Sequence, residues 1–287
     1  ATQAEIAAVV KTAMDAHAAA IDAIKAFAVN SSAAAPTEAQ YLAAGVTGVT
    51  SIHVAAINSA INAQAGTNGT PGAAGVADAD DATAVHTTAK VQAIVDAYQA
   101  IFDSANGMAN DDSVNPTQAQ YAAIGVTGVD TTQEESLLGD VLDTANRNGV
   151  ATDATAVNTV AKVQALANAV QAVMDGTASK AQLDALGVMG VTDNNLTAVQ
   201  AALAAATDAT QLNTLSGLQG VVTVAVDALN AIQTAAENNS ATSTSPSLAN
   251  YQAIGITGVT QANLAVINTA LNDADVQGAQ ADTRGEV

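Results

Sequence analysis

The chain has 287 residues, with 27 acidic against 7 basic side chains, 49% hydrophobic residues, 2% aromatic residues and no cysteine. A net charge of −20 disfavours binding to nucleic acid and to anionic membrane surfaces, because Lys and Arg carry the sequence-independent part of both interactions. The lack of cysteine excludes disulfides, thiolate nucleophiles and zinc sites with sulfur ligands. Alanine and valine dominate the apolar residues, which predicts closely packed helices, and no apolar run is long enough to predict membrane insertion.

The first predicted element is a long amphipathic helix from about Gln3 to Phe27, and a short helix follows from Thr37 to Ala44. Gly45 is expected to end the short helix, because glycine adopts the left-handed conformation of a helix C′ position without a steric penalty. Thr50 is a good N-cap residue, so a middle helix is expected to begin there. Long, short and middle helix together make one predicted three-helix unit.

The phrase that contains Gly45 recurs three times along the chain. Tyr41-Leu-Ala-Ala-Gly-Val-Thr-Gly-Val-Thr50 is followed by similar phrases at 121–130, 183–192 and 251–260. An intact phrase at unequal spacing indicates one structural unit with connecting loops of different lengths. The corresponding predicted helix stops are Gly125, Gly187 and Gly255, and the predicted helix starts are Asp130, Thr192 and Thr260. Further long helices are predicted at 81–102, 153–174 and 210–232.

The sequence therefore predicts an all-α protein, a tandem array of four three-helix units with solenoid-like or bundle-like stacking. The predicted units span 1–66, 79–148, 151–206 and 207–275, and a polar C-terminal tail follows at 276–287. Neither terminal unit is more polar than the others, and an uncapped terminal unit leaves apolar surface that needs a neighbour. The expected partner is a second copy of the chain, which would give a homopolymer, or neighbouring repeats of a longer array.

The phrase Gly-Val-Thr-Gly-Val-Thr and the continuation Asn263-Leu-Ala-Val-Ile-Asn268 resemble the Ala-rich helical repeats of very large bacterial surface and biofilm proteins. The resemblance covers nearly the whole chain. Its departures are Leu183 in place of tyrosine and Met189 in place of threonine. The resemblance implies an extracellular structural or adhesive role at a bacterial cell surface and brings no catalytic residues with it.

Calcium is the one cofactor that the sequence leaves open, although none is required. Oxygen ligands cluster at predicted loops and helix starts, and Ca²⁺ binds six to eight oxygen atoms. None of the clusters matches an EF-hand loop, and Asp and Asn are also common turn and N-cap residues. The candidate ligands are Asp78, Asp80, Asp81, Asp111, Asp112 and Asp193.

Other side chains predict packing rather than chemistry. The three histidines, each in a different predicted helix, have no second ligand at the spacing of a zinc pair. The tyrosines at one point of three units are expected to anchor the short helix on the long helix, with the hydroxyl reaching water or a backbone group. These residues are His17, His53 and His86, and Tyr41, Tyr121 and Tyr251.

These features predict an extracellular structural protein that self-assembles head-to-tail into a surface filament, a surface layer or a biofilm-matrix or adhesin stalk. The alternative is a binding module that recognises a cell-surface or host ligand through an exposed helix face or the loop at 65–80. The chain is not expected to be an enzyme, because no catalytic motif occurs in it. An Ala- and Thr-rich ice-binding surface ranks below the first two hypotheses.

Overall fold

The structure is a computed structural model that describes residues 2–64, 84–105, 114–144, 157–206, 211–238, 245–273 and 276–287. These residues form twelve α-helices and contain no strand, which confirms the all-α prediction. The helices are α1 (Gln3–Val29), α2 (Glu38–Ala43), α3 (Val54–Asn62), α4 (Thr88–Ser104), α5 (Gln118–Ala123), α6 (Thr132–Asp143), α7 (Val160–Met174), α8 (Lys180–Leu186), α9 (Leu196–Ala205), α10 (Leu215–Asn238), α11 (Leu248–Ala253) and α12 (Leu264–Leu271), and a 3-10 helix spans Gly278–Gln280.

Each short helix begins at a reciprocal cap. At α2, the Gln40 N–H donates to the Thr37 hydroxyl at 3.3 Å, and the Thr37 N–H donates to the Gln40 side chain at 2.9 Å. Such a pair fixes the start of a helix that is too short to be stable alone. The same pairing opens α5, α8 and α11, at Thr117–Gln120, Ser179–Gln182 and Ser247–Asn250.

The four predicted glycine stops are confirmed. Each has a positive φ, which is 76° at Gly45, 87° at Gly125, 89° at Gly187 and 73° at Gly255. Position 125 also requires glycine for steric reasons, because a Cβ atom there would lie 2.7 Å from the carbonyl oxygen of Ala63. The backbones of two segments therefore approach each other closely at this point.

The middle helices begin differently from the prediction. α3 starts at Val54 rather than at Thr50, because residues 51–53 form a turn whose His53 N–H donates to the Thr50 carbonyl at 3.0 Å. Turns of the same kind precede α9 and α12, where Thr192 and Thr260 accept the N–H of the residue three positions on. At α6 the cap is not Asp130, since the Glu134 N–H donates to the hydroxyl of Thr131.

The later long helices also begin after the predicted residues. Residues 85–87 interrupt the helix directly before α4, and Thr87 is the N-cap residue whose hydroxyl accepts the Lys90 N–H at 3.3 Å. α7 starts at Val160 and α10 at Leu215, again several residues after the predicted starts. The apolar pattern before each cap continues into the turn, where Val85 and Val157 are buried.

The chain divides into two compact units, which are Ala1–Glu135 with Leu142–Ala167 and Ser136–Val141 with Asn168–Val287. In the first unit, α4 packs against α3 and α5, while α1 packs against α2 and α3. In the second unit, α10 packs against α9, α11 and the 3-10 helix. This division does not test the four predicted repeat boundaries, which stay a prediction.

α10 is long and apolar enough to cross a membrane by length and composition, with a mean hydropathy of 1.4 over Leu215–Glu237. One face of α10 is nevertheless buried within the second compact unit, through Leu218, Val222, Leu229 and Ile232. A helix with one buried apolar face is typical of a globular core. We therefore interpret α10 as a core helix.

Only the C-terminal end of α1 is buried. Its buried residues lie between Ala20 and Ala28, whereas residues 2–19 are exposed. The exposed part carries large apolar side chains on one face, at spacings of three and four residues. These side chains are Ile6, Val9, Val10 and Met14.

Candidate functional site: the loop–helix junctions

The loops after the first three short helices each meet the next long helix through a glutamine. Gln92 of α4 faces the loop that follows α2, where its Oε1 accepts the Thr47 N–H at 2.8 Å and its Nε2 donates to the Thr47 carbonyl at 3.1 Å. The side-chain amide thus pairs with both hydrogen-bonding groups of one backbone residue. We call this arrangement a junction and Gln92 a junction glutamine.

Two further junctions have the same geometry. In each of them one glutamine accepts the backbone N–H of the loop residue and donates to its C=O. The two short bonds go to main-chain atoms, so Met189 makes them as a threonine does. The hydroxyls of Thr47 and Thr127 add a longer side-chain bond to the same glutamines, at 3.4 Å. The two pairs are Gln164 with Thr127, at 2.9 and 3.0 Å, and Gln219 with Met189, at 2.8 and 3.1 Å.

A neighbouring contact strengthens the first junction. The Thr88 hydroxyl at the start of α4 donates to the carbonyl of Ala44, the last residue before Gly45, at 2.7 Å. This bond satisfies a carbonyl at the end of α2 that has no partner within the helix. Nε2 of Gln92 also donates to Asp96 one turn along α4 at 2.7 Å, which fixes the amide orientation. The junction therefore presents a preorganised amide to the loop.

The hydroxyls of Tyr41 and Tyr251 donate to an asparagine of the middle helix, and not to the water or backbone group that the sequence predicted. Tyr41 is fully buried, and its hydroxyl donates to the side chain of Asn58 in α3 at 2.6 Å. The Asn58 amide in turn donates to the Pro36 carbonyl at 2.9 Å. One asparagine thus bonds to α2 itself and to the residue that leads into it. Burial raises the pKa of Tyr41 well above its ordinary value. Tyr251 and Asn268 repeat the bond at 2.8 Å.

Tyr121 occupies the same position without this partner. It is fully buried, and its hydroxyl has no hydrogen-bond partner among the described residues. The residue of α6 that corresponds to Asn58 is Leu138, which cannot accept a hydrogen bond. Burial and the nearby carboxylates of Glu135 and Asp143 raise the pKa of Tyr121. This buried hydroxyl therefore lowers the free energy of unfolding, because it loses its bonds to water on folding and gains none.

The loop after the fourth short helix has no junction glutamine. Thr257 is exposed, and within the described ranges neither its N–H nor its carbonyl has a hydrogen-bond partner. The preceding carbonyls are occupied by the C-terminal segment, since Arg284 donates from Nε to the Ile254 carbonyl at 2.7 Å and from Nη2 to the Gly255 carbonyl at 2.9 Å. The segment predicted as a polar tail thus packs on the end of α11, with Ala281 buried.

Two of the three histidines share a surface groove. His17 of α1 and His86, which precedes α4, line an open groove of about 470 Å³ together with Asp22. His53 is instead the N-cap residue of α3 and stacks on Phe102 with ring centroids 4.2 Å apart. Its burial lowers its pKa. The prediction that each histidine lies in its own helix is therefore wrong for His53 and His86.

The candidate calcium ligands lie almost entirely outside the described residues. This holds for Asp78, Asp80, Asp81, Asp111 and Asp112. Asp193 is described and is exposed in the turn before α9. Among the described residues, no group of three or more His, Asp or Glu side chains is arranged to hold a metal ion. The calcium proposal therefore stays a prediction, as does a role for the loop at 65–80, which also lies outside the described residues.

The junction glutamines are the main feature that the sequence patterns did not reveal. Gln92 and Gln164 both follow a Lys-Val pair, and Gln219 follows a Gly-Leu pair. A comparison of the long helices alone would have found this recurrence.

Comparisons of the chain with known protein families, with characterised proteins and with solved structures found no match.

Proposed function

We propose that this chain is a structural protein of four stacked three-helix repeats whose two ends associate head-to-tail, as part of a filament, surface layer or adhesin stalk at a bacterial cell surface. One observation carries the proposal. The faces that are exposed at the two ends of the chain correspond to faces that are buried at equivalent positions within it. The extracellular location follows from the resemblance of the repeat phrase and is part of the same proposal.

The last repeat exposes a face of its middle helix that is buried in the first repeat. α12 and α3 are equivalent, because Asn268 and Asn58 each accept the tyrosine hydroxyl of their own repeat. Ala56 of α3 is 1% exposed, whereas the equivalent Val266 of α12 is 70% exposed. The difference has a simple cause, since α3 packs against the long helix α4 that follows it. α12 is followed by no such helix in the described part of the chain.

The first repeat exposes the matching face of its long helix. The buried positions at the end of α1 match those of α10 residue for residue, from Ala20, Ile21 and Ile24 to Ala228, Leu229 and Ile232. In this register, Val10 and Met14 correspond to Leu218 and Val222 of α10. The α10 residues are fully buried, whereas Val10 is 51% and Met14 is 66% exposed. α10 packs against the preceding middle helix α9, whereas no middle helix precedes α1 among the described residues.

The two exposed faces are thus the two halves of one kind of contact, a middle helix against the long helix that follows it. Joining α12 of one copy to α1 of the next would repeat this contact between chains. Such a heterologous contact generates an open fibre when its rotation does not close a ring. The net charge of −20 opposes association, so salt or divalent cations are expected to promote it by screening.

Sedimentation velocity and electron microscopy over a range of protein concentrations test the proposal. The chain is expected to form concentration-dependent linear assemblies, and the Val10→Glu/Met14→Glu variant is expected to stay monomeric, because the contact would bury two unpaired carboxylates. Circular dichroism must show that the variant remains helical. Calcium followed by chelator, compared with an equal ionic strength of sodium chloride, separates specific ligation from screening.

Leu42→Glu is the matched control. Leu42 is 71% exposed, and the corresponding residues of the other short helices, Ala122, Asp184 and Gln252, are exposed too, so this position lies outside the proposed contact. The control is expected to assemble like the unchanged chain. A chain that remains monomeric at every concentration contradicts the proposal and favours a segment of a longer array or a binding module. Assembly that tolerates both glutamates also contradicts it.

A further inference from the structure

Two long helices are capped by a middle helix that lies two repeats earlier in the sequence. In the first compact unit, the N–H of Val160, the first residue of α7, donates to the Ser59 hydroxyl of α3 at 3.0 Å. These two residues are 101 positions apart. α3 belongs to the first predicted repeat and α7 to the third, so the bond passes over the second repeat.

The second compact unit contains a bond of the same kind. The N–H of Leu215, the first residue of α10, donates to the Asp140 carboxylate of α6. α6 belongs to the second predicted repeat and α10 to the fourth, which are again two apart. Val160 and Leu215 are equivalent, because each lies four residues before the junction glutamine of its own helix. We call each of these two bonds a remote cap.

A remote cap supplies an acceptor that the long helix itself lacks, because the first N–H groups of a helix have no partner within it. The local N-cap residues bond elsewhere, since the hydroxyls of Thr159 and Thr214 accept the N–H groups of Lys162 and Gly217 at 3.4 and 3.0 Å. The N–H of the first helical residue bonds to the earlier middle helix instead. A carboxylate is favourable there, because it also interacts with the positive end of the helix dipole.

The second repeat also takes part in the remote cap of α7. Tyr98 of α4 is fully buried, and its hydroxyl donates at 2.7 Å to the carbonyl of Val157, three residues before α7 begins. Val157 is fully buried as well, and Val160 is 7% exposed. The Ser59 hydroxyl is held in place, because it donates to the Ala56 carbonyl at 2.7 Å. Three successive repeats thus meet at the start of α7.

These contacts differ from those of an ordinary repeat array, in which each repeat contacts only its neighbours and stability is a sum of repeat and nearest-neighbour contributions. We propose that the remote caps couple the folding of repeats that lie two apart, so that local unfolding of a middle helix opens the first turn of the long helix two repeats later. This inference rests on the repeat array of the proposed function and adds the way in which the array resists unfolding. It does not depend on association between chains.

A double-mutant cycle tests the remote cap of α7. Ser59→Ala removes the acceptor, and Val160→Pro removes the donor at a helix position where proline is tolerated. The reporter is hydrogen exchange of the Val163 amide, which donates to the Thr159 carbonyl at 3.3 Å in the first turn of α7. Ser59→Ala is expected to speed this exchange about three- to tenfold in the unchanged chain and to add nothing in the Val160→Pro variant.

A second experiment tests whether unfolding is transmitted through this bond. Ile57 of α3 is 2% exposed, so Ile57→Ala loosens α3 and leaves Ser59 in place. Ile57→Ala is expected to speed exchange at Val163, and the acceleration should be at least about twofold smaller when Ser59→Ala is also present. Ser51→Ala is the matched control, because Ser51 is exposed in the turn before α3, and it should leave exchange at Val163 unchanged.

The remote cap of α10 provides an independent check, with the Leu218 amide as reporter, since it donates to the Thr214 carbonyl at 2.9 Å in the first turn. Asp140→Ala is expected to speed its exchange about three- to tenfold and to add nothing when Leu215→Pro is present. Asp140→Asn keeps an acceptor oxygen and should have a smaller effect than Asp140→Ala. Equal effects of the two substitutions would contradict the role of this side chain as an acceptor.

Two results would overturn the coupling between repeats. One is an effect of Ser59→Ala that is as large with Val160→Pro as without it, and the other is an acceleration by Ile57→Ala that does not depend on Ser59. All exchange is measured at protein concentrations at which the chain is monomeric, as sedimentation must show. Failure here therefore leaves the head-to-tail association standing, whereas a chain that never assembles contradicts only that association.

Discussion

Replacing Gln92 with alanine removes the pair of hydrogen bonds between α4 and the loop at Thr47, while α4 itself stays intact. The bonds measure 2.8 and 3.1 Å and lie at an exposed site. Each such bond contributes a net of about 0.5–1 kcal/mol to the free energy of unfolding, which gives an expected loss of roughly 1–2 kcal/mol. For a chain of this size the midpoint of thermal unfolding then falls by about 2–8 °C.

Circular dichroism on heating measures the stability, and hydrogen exchange of the Thr47 amide reports the junction directly. Gln99→Ala is the matched control, because the Gln99 side chain bonds Asp103 within α4 and makes its contact away from the loop, at 2.8 Å. Only Gln92→Ala is expected to speed exchange at Thr47. Equal losses of stability in the two variants, or unchanged exchange at Thr47, would refute the role assigned to the junction.

Gln92→Glu adds a pH dependence of known sign. A carboxylate keeps the acceptor for the Thr47 N–H, but it faces the Thr47 carbonyl and lies beside Asp96, which accepts from Gln92 at 2.7 Å. These contacts disfavour the charged form, so the pKa of the new carboxyl is raised in the folded state. The folded state then binds the proton more tightly than the unfolded chain. The penalty is therefore full at neutral pH and declines as the pH falls through the folded pKa.

Three further tests address other parts of the structure. Tyr41→Phe should cost about 1–3 kcal/mol, because the buried side-chain oxygen of Asn58 loses its donor, whereas Tyr121→Phe should be neutral in chemical denaturation, because the Tyr121 hydroxyl has no partner among the described residues. Gly125→Ala should destabilise more than Gly190→Ala, by about 1–3 kcal/mol, since only the first new Cβ meets a backbone atom, as thermal unfolding would show. Burial raises the tyrosine pKa values, so stability is expected to fall as the pH rises above about 10, and tyrosinate absorbance should appear together with the loss of helical signal.

Local features were predictable because each depends on a few neighbouring residues. Gly45 ends its helix through its own backbone conformation, and Tyr41 recurs at a fixed distance before it, so the repeated phrase was sufficient for both. The predicted start of α3 was too early, because Thr50 accepts the N–H of His53 in a turn that precedes the helix. A hydrogen bond between residues three positions apart occurs both in turns and at the start of helices. The packing of the following residues decides which of the two forms.

Contacts between distant residues were not predictable from the same patterns. Gln92 and Thr47 are 45 positions apart, and nothing in either sequence neighbourhood marks them as partners. The exposed part of α1 raises a related difficulty. Val10 and Met14 lie on α1 with the same spacing as the buried apolar residues of α10. An apolar periodicity identifies one face of a helix but does not show whether another helix covers that face.

The short bonds of the junctions go to the main chain of the loop, which leaves one exposed side chain at each of the three glutamine junctions. These side chains belong to Thr47, Thr127 and Met189, which is 74% exposed, and the two threonine hydroxyls make only a long bond of 3.4 Å to their glutamine. A cysteine, a charged group or a bulky aromatic side chain could therefore be introduced at any of them at little cost in stability. The protein thus offers ready attachment points for dyes, cross-linkers or displayed ligands, one on each of these loops.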